Sequence, residues 1–122
     1  MILITNNPSA NKKYSGSIET AYLEGEDFSG VLNAVRDRIH LGHKLLTHPL
    51  SGSIKPGQTP YKSILVSKVR EELDTGSLAI IEGSIAIMHS QKKVVENARI
   101  TDGLAEDFQL IDISLIESGI KI

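Results

Sequence analysis

The chain has 122 residues, a length that suits one domain around one core, and we expect a single domain over 1–122. Its 13 basic and 15 acidic residues give a net charge of −2, which disfavours nucleic acid as a partner, because broad nucleic-acid binding needs a basic face. The sequence contains no cysteine, which excludes disulfides and thiolate chemistry. With no signal-peptide pattern and no run long enough to span a membrane, we expect a cytoplasmic protein without a membrane partner.

The chain opens on a strand, a short helix and a second strand. The apolar run at 2–5 predicts a buried strand. Asn7 followed by Pro8 is typical of a helix start, which places a short helix over 8–14. Alternating side chains over 18–23 predict the next strand.

The clearest helix covers 27–41. Its apolar residues recur at helical spacing between Asp27, which can cap the start, and Gly42, where a left-handed residue can end the helix. Two further apolar runs, at 43–47 and 62–67, predict a third and a fourth strand.

The last third of the chain has two helical patterns. The first begins near Asp74 and places on one face a set of four apolar residues: Leu78, Ile81, Ile85 and Met88. The second begins at Asp102 and ends at Gly119, and its predicted inner stripe is Leu104, Phe108, Ile111 and Leu115. The first of these helices also carries Ile80 and Ile87 outside its inner stripe. This excess of apolar surface predicts a homodimer interface.

This order of elements predicts an α/β domain. We expect a small sheet of about four strands, at least partly parallel, with flanking helices in a Rossmann-like layered arrangement. Ligands of such sheets sit beyond the carboxyl ends of the strands. Two polar loops follow predicted strands, one beginning at Asn6 and the other at His48, and parallel strands would bring both loops to one edge.

A long polar loop after the third predicted strand is the main candidate for a binding site. Loops of this length usually carry function. Successive backbone N–H groups around Gly52 can form a concavity for an anion, and the two flanking lysines can add positive charge. The predicted ligand-binding residues are Asn6, Asn7, His48, Ser51, Gly52, Ser53, Lys55 and Lys62.

Each of these residue types also has a structural explanation. Asparagine is common in turns and helix caps, loop lysines are usually solvated, and His48 can fix its loop through a hydrogen bond. An enzyme stays open as an alternative, in which His48 acts with Ser51 or Ser53 in a hydrolase or transferase, although no acidic partner or G-x-S-x-G turn supports it. The four histidines lack the spacing of a metal site, so we expect no metal and no cofactor.

Three stretches of the sequence, LITNNP, GHKLLTHPLSGSIKP and TPYKSILVSK, resemble the GrdX family. Proteins of that family are encoded beside the glycine, sarcosine and betaine reductase systems of amino-acid-fermenting anaerobes. The resemblance implies a cytoplasmic accessory role in selenium-dependent amino-acid reduction, with glycine reductase components as partners. It implies no particular activity and supplies no catalytic residues. The combined expectation is an accessory protein that binds a small anionic ligand or a protein partner.

Overall fold

The structure is a computed structural model that describes residues 1–50, 59–96 and 102–120. Its elements in chain order are β1 (Ile2–Thr5), α1 (Pro8–Tyr14), β2 (Glu19–Tyr22), α2 (Phe28–His40), β3 (Ser63–Val66), α3 (Thr75–Glu96) and α4 (Asp102–Ile120). The strands lie in the order β2-β1-β3, with β1 parallel to β2 and antiparallel to β3. The predicted α/β class and partly parallel sheet are confirmed.

The sheet has three strands within the described residues, rather than about four. The predicted strand at 43–47 contributes a single antiparallel bridge, between Leu45 and Val66. Side-chain hydrogen bonds replace part of its ladder, since the Leu65 N–H donates to Thr47 Oγ1 at 3.0 Å. When a side-chain hydroxyl accepts a backbone N–H of a strand, that N–H is no longer available to a carbonyl of the neighbouring strand, and the regular strand pairing is interrupted. The Rossmann-like part of the prediction is not confirmed.

Helices pack on both faces of the sheet because alternate residues of β1 enter different apolar clusters. Ile2 and Ile4 pack with α2 and α3, whereas Leu3 packs with α1 and α4. The predicted inner face of α3 is confirmed, since Ile81, Ile85 and Met88 are buried. No helix within the described ranges combines the length and apolarity that a membrane span requires.

Local capping chemistry sets the helix boundaries in the first half. Asn7 caps α1 by accepting the Ser9 N–H, and Asp27 caps α2 by accepting the Gly30 N–H at 2.8 Å. After α2, Gly42 has a φ of 107°, and a Cβ there would overlap the Glu71 backbone. This turn therefore requires glycine.

The predicted inner stripe of α4 is wrong by one position. Ile111 and Leu115 are exposed, Phe108 is half-buried, and the buried residues are Asp112 and Ile116. The helix is apolar on most sides, so periodicity alone does not select the face that meets the sheet. The side chain of Leu104 lies outside the described set, and α4 continues past the predicted end at Gly119 to Ile120.

Candidate functional site

Three chain segments meet at one edge of the sheet. Thr5, the last residue of β1, lies opposite Ser63, the first residue of β3. The segment 44–47 runs antiparallel to β3, with the Leu46 N–H donating to the Leu65 carbonyl at 2.9 Å. It therefore runs in the same direction as β1, and His48 at its end lies at the same edge of the sheet as Asn6.

Asn6 uses its whole side chain to join neighbouring backbone segments. Its Nδ2 group donates to the carbonyls of Glu26 at 2.9 Å and Pro60 at 2.7 Å, and its Oδ1 accepts the Lys62 N–H at 2.9 Å. These three bonds satisfy peptide groups that lie beyond the ends of the strands. The geometry of Asn6 is that of a structural residue.

Asn7 connects the end of β1 to α4. Its Nδ2 group donates to the Gln109 carbonyl at 3.0 Å and to Asp112 Oδ2 at 2.9 Å, while its Oδ1 caps α1. Its backbone N–H donates to Thr5 Oγ1 at 2.9 Å. Both amides that the sequence offered as ligand contacts are thus engaged with the protein itself.

Asp112 is a buried carboxylate, 4% exposed, that holds this edge together. Its Oδ1 accepts the Ser63 N–H at 2.9 Å, and its Oδ2 accepts both the Ser63 hydroxyl at 2.6 Å and the Asn7 amide. The Ser63 hydroxyl has a single hydrogen, which it donates to Asp112, so its oxygen must be the acceptor in the contact with Thr5. Thr5 Oγ1 therefore donates to Ser63 Oγ at 2.8 Å. We call these four residues, Thr5, Asn7, Ser63 and Asp112, the edge network.

Sequence reasoning missed Asp112. Its one available signal is an acidic residue inside the run LIDISLI of the last helix, which is otherwise apolar except for Ser114. An acid at that position must be hydrogen-bonded when buried, because a buried charge without partners is costly. All buried side-chain polar atoms in the described part of the chain have a hydrogen-bond partner.

Lys62 is the buried cation of this edge, with only 5% of its surface exposed. Burial lowers the pKa of its ammonium group, and the negative charge of Asp112 acts in the opposite direction. The general expectation for a loop lysine, a solvated side chain, therefore does not apply here.

A pocket of about 270 Å³ lies beside the edge network, between residues 46–48 and the last turns of α4. Its lining residues are Leu46, Thr47, His48, Lys62, Ser63, Leu115, Ile116, Ser118 and Gly119. A Cβ on Gly119 would lie 2.7 Å from Thr47 Cγ2, so glycine permits the close approach of α4 that shapes this wall.

His48 lines the pocket and is exposed on its outer side. Its Nδ1 accepts the Leu50 N–H at 3.1 Å. The neutral ring therefore carries its proton on Nε2, which is left as a donor. The loop-fixing hydrogen bond considered for this residue is present, and it is compatible with a ligand contact through the other ring nitrogen.

Ser51, Gly52, Ser53 and Lys55 lie outside the described residues, as does any pairing of His48 with Ser51 or Ser53. The other histidines are separate: the buried His43 donates from Nδ1 to the Ser67 carbonyl at 2.7 Å, while His40 and His89 are exposed. Across ranges 1–50, 59–96 and 102–120, no three potential metal ligands come together.

Comparison with known proteins gives one clear result. A family model described as GrdX-like protein matches residues 2–121, nearly the whole chain. No curated protein matches, and no solved structure matches. The match over 2–121 confirms the resemblance carried by LITNNP and the two later stretches, and the chain belongs to the GrdX-like protein family.

Proposed function

We propose that this protein binds a small anion in the pocket between residues 46–48 and α4, and that it acts as a cytoplasmic accessory protein in glycine reductase metabolism. The observation that carries the proposal is the position of Lys62, a buried cation in the pocket wall. Interactions of an ammonium group with an anion are stronger in such a partly dry site than in water.

The other polar groups that line the pocket also suit a negatively charged ligand. His48 contributes a ring N–H, and Thr47 contributes a hydroxyl. Asp112, the carboxylate whose charge acts on Lys62, is not a lining residue and uses both its oxygens within the edge network. An anion entering this pocket would meet hydrogen-bond donors and a positive charge, whereas a cation would be repelled by the charge of Lys62.

Calorimetric titration tests this site with acetate, butyrate and phosphate as probes. We expect at least one anion to bind at millimolar concentration or below, and we expect Lys62→Met to weaken that binding by roughly tenfold or more, as for loss of a charge-assisted contact. Lys68→Met is the matched control, because it removes the same charge from an exposed position. Equal binding by the Lys62 and Lys68 variants, or no binding of any probe, would refute the proposal.

We also propose a homodimer formed through the outer face of α3. Ile80 and Ile87 remain 40% and 47% exposed on this helix. The exposed small residues around them are Ala79, Gly83 and Ala86. Isoleucine and alanine occupy opposite positions about Gly83: Ala79 and Ile87 lie four residues from it, and Ile80 and Ala86 lie three residues from it. An antiparallel copy of α3 centred on Gly83 would therefore place each isoleucine against a partner alanine. Such self-complementarity is what an isologous two-fold interface requires.

Light scattering of the purified protein tests the dimer. We expect a dimer mass at micromolar concentration and a monomer mass for Ile87→Glu. Val69→Glu is the control, since Val69 is 64% exposed and lies outside α3. A monomeric unmodified protein, or a dimer that survives the Ile87 change, would contradict the interface.

The glycine reductase components are proposed partners on the strength of the family alone. Mixing each purified component with this protein in the same light-scattering experiment gives the direct test. A stable increase in mass with one component supports that partnership, and none with any component removes it.

A further inference from the structure

We infer that the free edge of β2 binds an extended, basic polypeptide segment as an added strand. β2 (Glu19–Tyr22) is an outer strand, because the strands lie in the order β2-β1-β3. The unpaired backbone groups of an outer strand are a template for a further strand. No described residue of β2 lines the anion pocket, so the two surfaces are separate.

The backbone groups of Thr20 and Tyr22 point away from β1. The Leu23 N–H donates to the Thr5 carbonyl at 2.8 Å, and Thr5 is the residue of β1 that is paired with Tyr22. Because the direction of the backbone groups alternates along a strand, the Leu23 N–H faces β1, whereas Tyr22, and with it Thr20, faces outward. Within the described residues, the outward N–H and C=O groups of Thr20 and Tyr22 form no hydrogen bond.

The open part of this edge is short. Ahead of it, the Ile18 carbonyl accepts the Thr20 hydroxyl at 2.8 Å. Beyond it the chain turns, and the Leu23 carbonyl accepts the Glu26 N–H at 3.2 Å. Between these points, the N–H and C=O groups of Thr20 and Tyr22 offer alternating donors and acceptors. A segment of about four to six extended residues is long enough to pair with them.

The charge beside this edge identifies the kind of segment. Residues 14–35 contain no lysine or arginine, but they contain four exposed acidic residues: Glu19, Glu24, Glu26 and Asp27. A second copy of β2 would bring the same acids against these, and like charges on paired strands are unfavourable. A segment that carries lysine or arginine is attracted instead. The occupant is therefore a basic peptide segment and not a second copy of this strand.

Tyr22 and Glu24 form a corner that suits a basic side chain at the end of the edge. Burial raises the pKa of the Tyr22 phenol, and the nearby Glu24 carboxylate and Tyr61 phenol act in the same direction. Both tyrosine side chains stay partly exposed. Lysine and arginine interact favourably with aromatic faces and with carboxylates. We therefore expect one basic side chain of the added strand to lie against Tyr22 and Glu24.

Fluorescence anisotropy with labelled hexapeptides, acetylated and amidated at their ends, tests the added strand. The probes are Lys-Thr-Lys-Val-Lys-Thr, the charge-reversed Glu-Thr-Glu-Val-Glu-Thr, and the basic peptide N-methylated at every peptide bond. The methylated peptide keeps its charge but has no backbone donor. We expect the basic peptide to bind at roughly millimolar concentration or below, and the other two to bind at least about fivefold more weakly.

Each probe can overturn a different part of the proposal. If the methylated peptide binds as well as its parent, the attraction is electrostatic only and no strand is added. If the charge-reversed peptide binds as well, the basic character of the occupant is wrong. If none of the peptides binds, the edge of β2 is not a docking site.

Thr20→Pro tests the same edge from the side of the protein, with Thr20→Val as its matched control. Both changes remove the Thr20 hydroxyl, but only proline removes the outward N–H, which β1 does not use. We expect Thr20→Pro to weaken binding of the basic peptide by about fivefold or more relative to Thr20→Val. Equal binding by the two variants, with the fold of each checked by circular dichroism, would overturn the added strand.

Glu24→Gln tests the charge without changing the strand itself. The variant should weaken binding of the basic peptide severalfold at low salt, and the difference should shrink as salt is added. Glu72→Gln is the control, because it removes an exposed acid that lies outside residues 14–35. Equal binding by the Glu24 and Glu72 variants would contradict the placement of a basic side chain at this corner.

Discussion

The edge network and the neighbouring pocket use the same kinds of side chain for different purposes. In the network, Asp112 on α4 accepts hydrogen bonds from Ser63 in β3 and from Asn7, which follows β1, and these bonds hold α4 to the sheet. In the pocket, Lys62 and His48 stand where a further partner can approach. Ser63 belongs to both, since its hydroxyl is committed to Asp112 while its surface lines the pocket.

The difference shows that polar residues after a strand do not mark a ligand site by themselves. Asn6 and Asn7 follow β1 as expected for binding residues, yet each of their amide groups completes the protein's own hydrogen bonding. A site needs groups that retain hydrogen-bonding capacity after folding. By that criterion the candidate site moves from the Asn6 loop to the pocket lined by His48, whose Nε2 keeps a donor.

The largest effect is expected from Asp112→Ala, which removes the centre of the edge network. The change leaves the Ser63 N–H, the Ser63 hydroxyl and the Asn7 amide without their common acceptor. Breaking a buried charged network of this kind costs about 3–5 kcal/mol in the free energy of unfolding. Urea denaturation measures the loss, and Asp107→Ala, an exposed acid on the same helix, should change stability by less than about 0.5 kcal/mol. A loss below about 1 kcal/mol for Asp112→Ala would show that the network does not hold α4 to the sheet.

Ser63→Ala separates the two roles of the shared residue. The variant leaves Asp112 with one hydrogen bond fewer and Thr5 Oγ1 without its acceptor, so we expect a loss of about 1–3 kcal/mol in stability. Anion affinity should stay within about twofold, because the Ser63 hydroxyl hydrogen is engaged with Asp112 and is no donor to a ligand. Ser118→Ala is the control that removes a lining hydroxyl bonded only within its own helix. A large loss of affinity in Ser63→Ala would instead place the hydroxyl in the binding site.

The elements that could be predicted from sequence are those that local chemistry defines. The bounds of β1, α1 and α2 follow from apolar runs bracketed by Asn7, Asp27 and Gly42, each of which acts on neighbouring residues. The antiparallel pairing of β3 could not be predicted, because it joins residues about sixty positions apart and no short-range signal encodes its direction.

The same distinction explains the outcome at the site. Lys62 and His48 could be nominated from residue type alone, but the environment of Lys62 comes from residues distant in the chain, since its N–H donates to Asn6 Oδ1 and the charge of Asp112 acts on it. Asp112 lies 49 residues from Ser63 and 105 residues from Asn7 in the chain, so its hydrogen bonds have no local pattern. The face of α4 that meets the sheet was mispredicted for the same reason, since Asp112 and Ile116 fix it through distant partners.

The pH dependence should have opposite signs for stability and for binding. Burial lowers the pKa of Lys62 below its ordinary 10.5, so the folded, ligand-free protein holds this proton less tightly than the unfolded chain does. The contribution of Lys62 to stability therefore rises as pH increases through the folded pKa toward 10.5. Anion affinity falls over the same window, because the ligand requires the charged ammonium.

Titration of acetate or butyrate between neutral pH and pH 10.5 checks this sign, alongside urea denaturation over the same range. In Lys62→Met both trends should become flatter, whereas Lys68→Met should retain them. His48 also lines the pocket, so His48→Gln serves as a further control. An affinity that rises with pH through this window would contradict the role of the Lys62 charge.

Gly119→Ala is expected to have the smallest effect on stability of the variants considered. It should nevertheless weaken ligand binding clearly. The new Cβ would lie 2.7 Å from Thr47 Cγ2 and 3.4 Å from Leu65 Cδ1, so Thr47 and the last turn of α4 must separate slightly. Alanine is the better helix former by roughly 0.5–1 kcal/mol, which offsets part of this strain and keeps the net stability change within about 1 kcal/mol. The added methyl group alters the wall of the pocket but touches no member of the edge network. Butyrate affinity should fall severalfold, and Gly16→Ala, where a Cβ has open space, should leave it unchanged. If Gly119→Ala binds butyrate as well as the unmodified protein does, the ligand does not use this wall, and the pocket's boundary must lie nearer to Lys62.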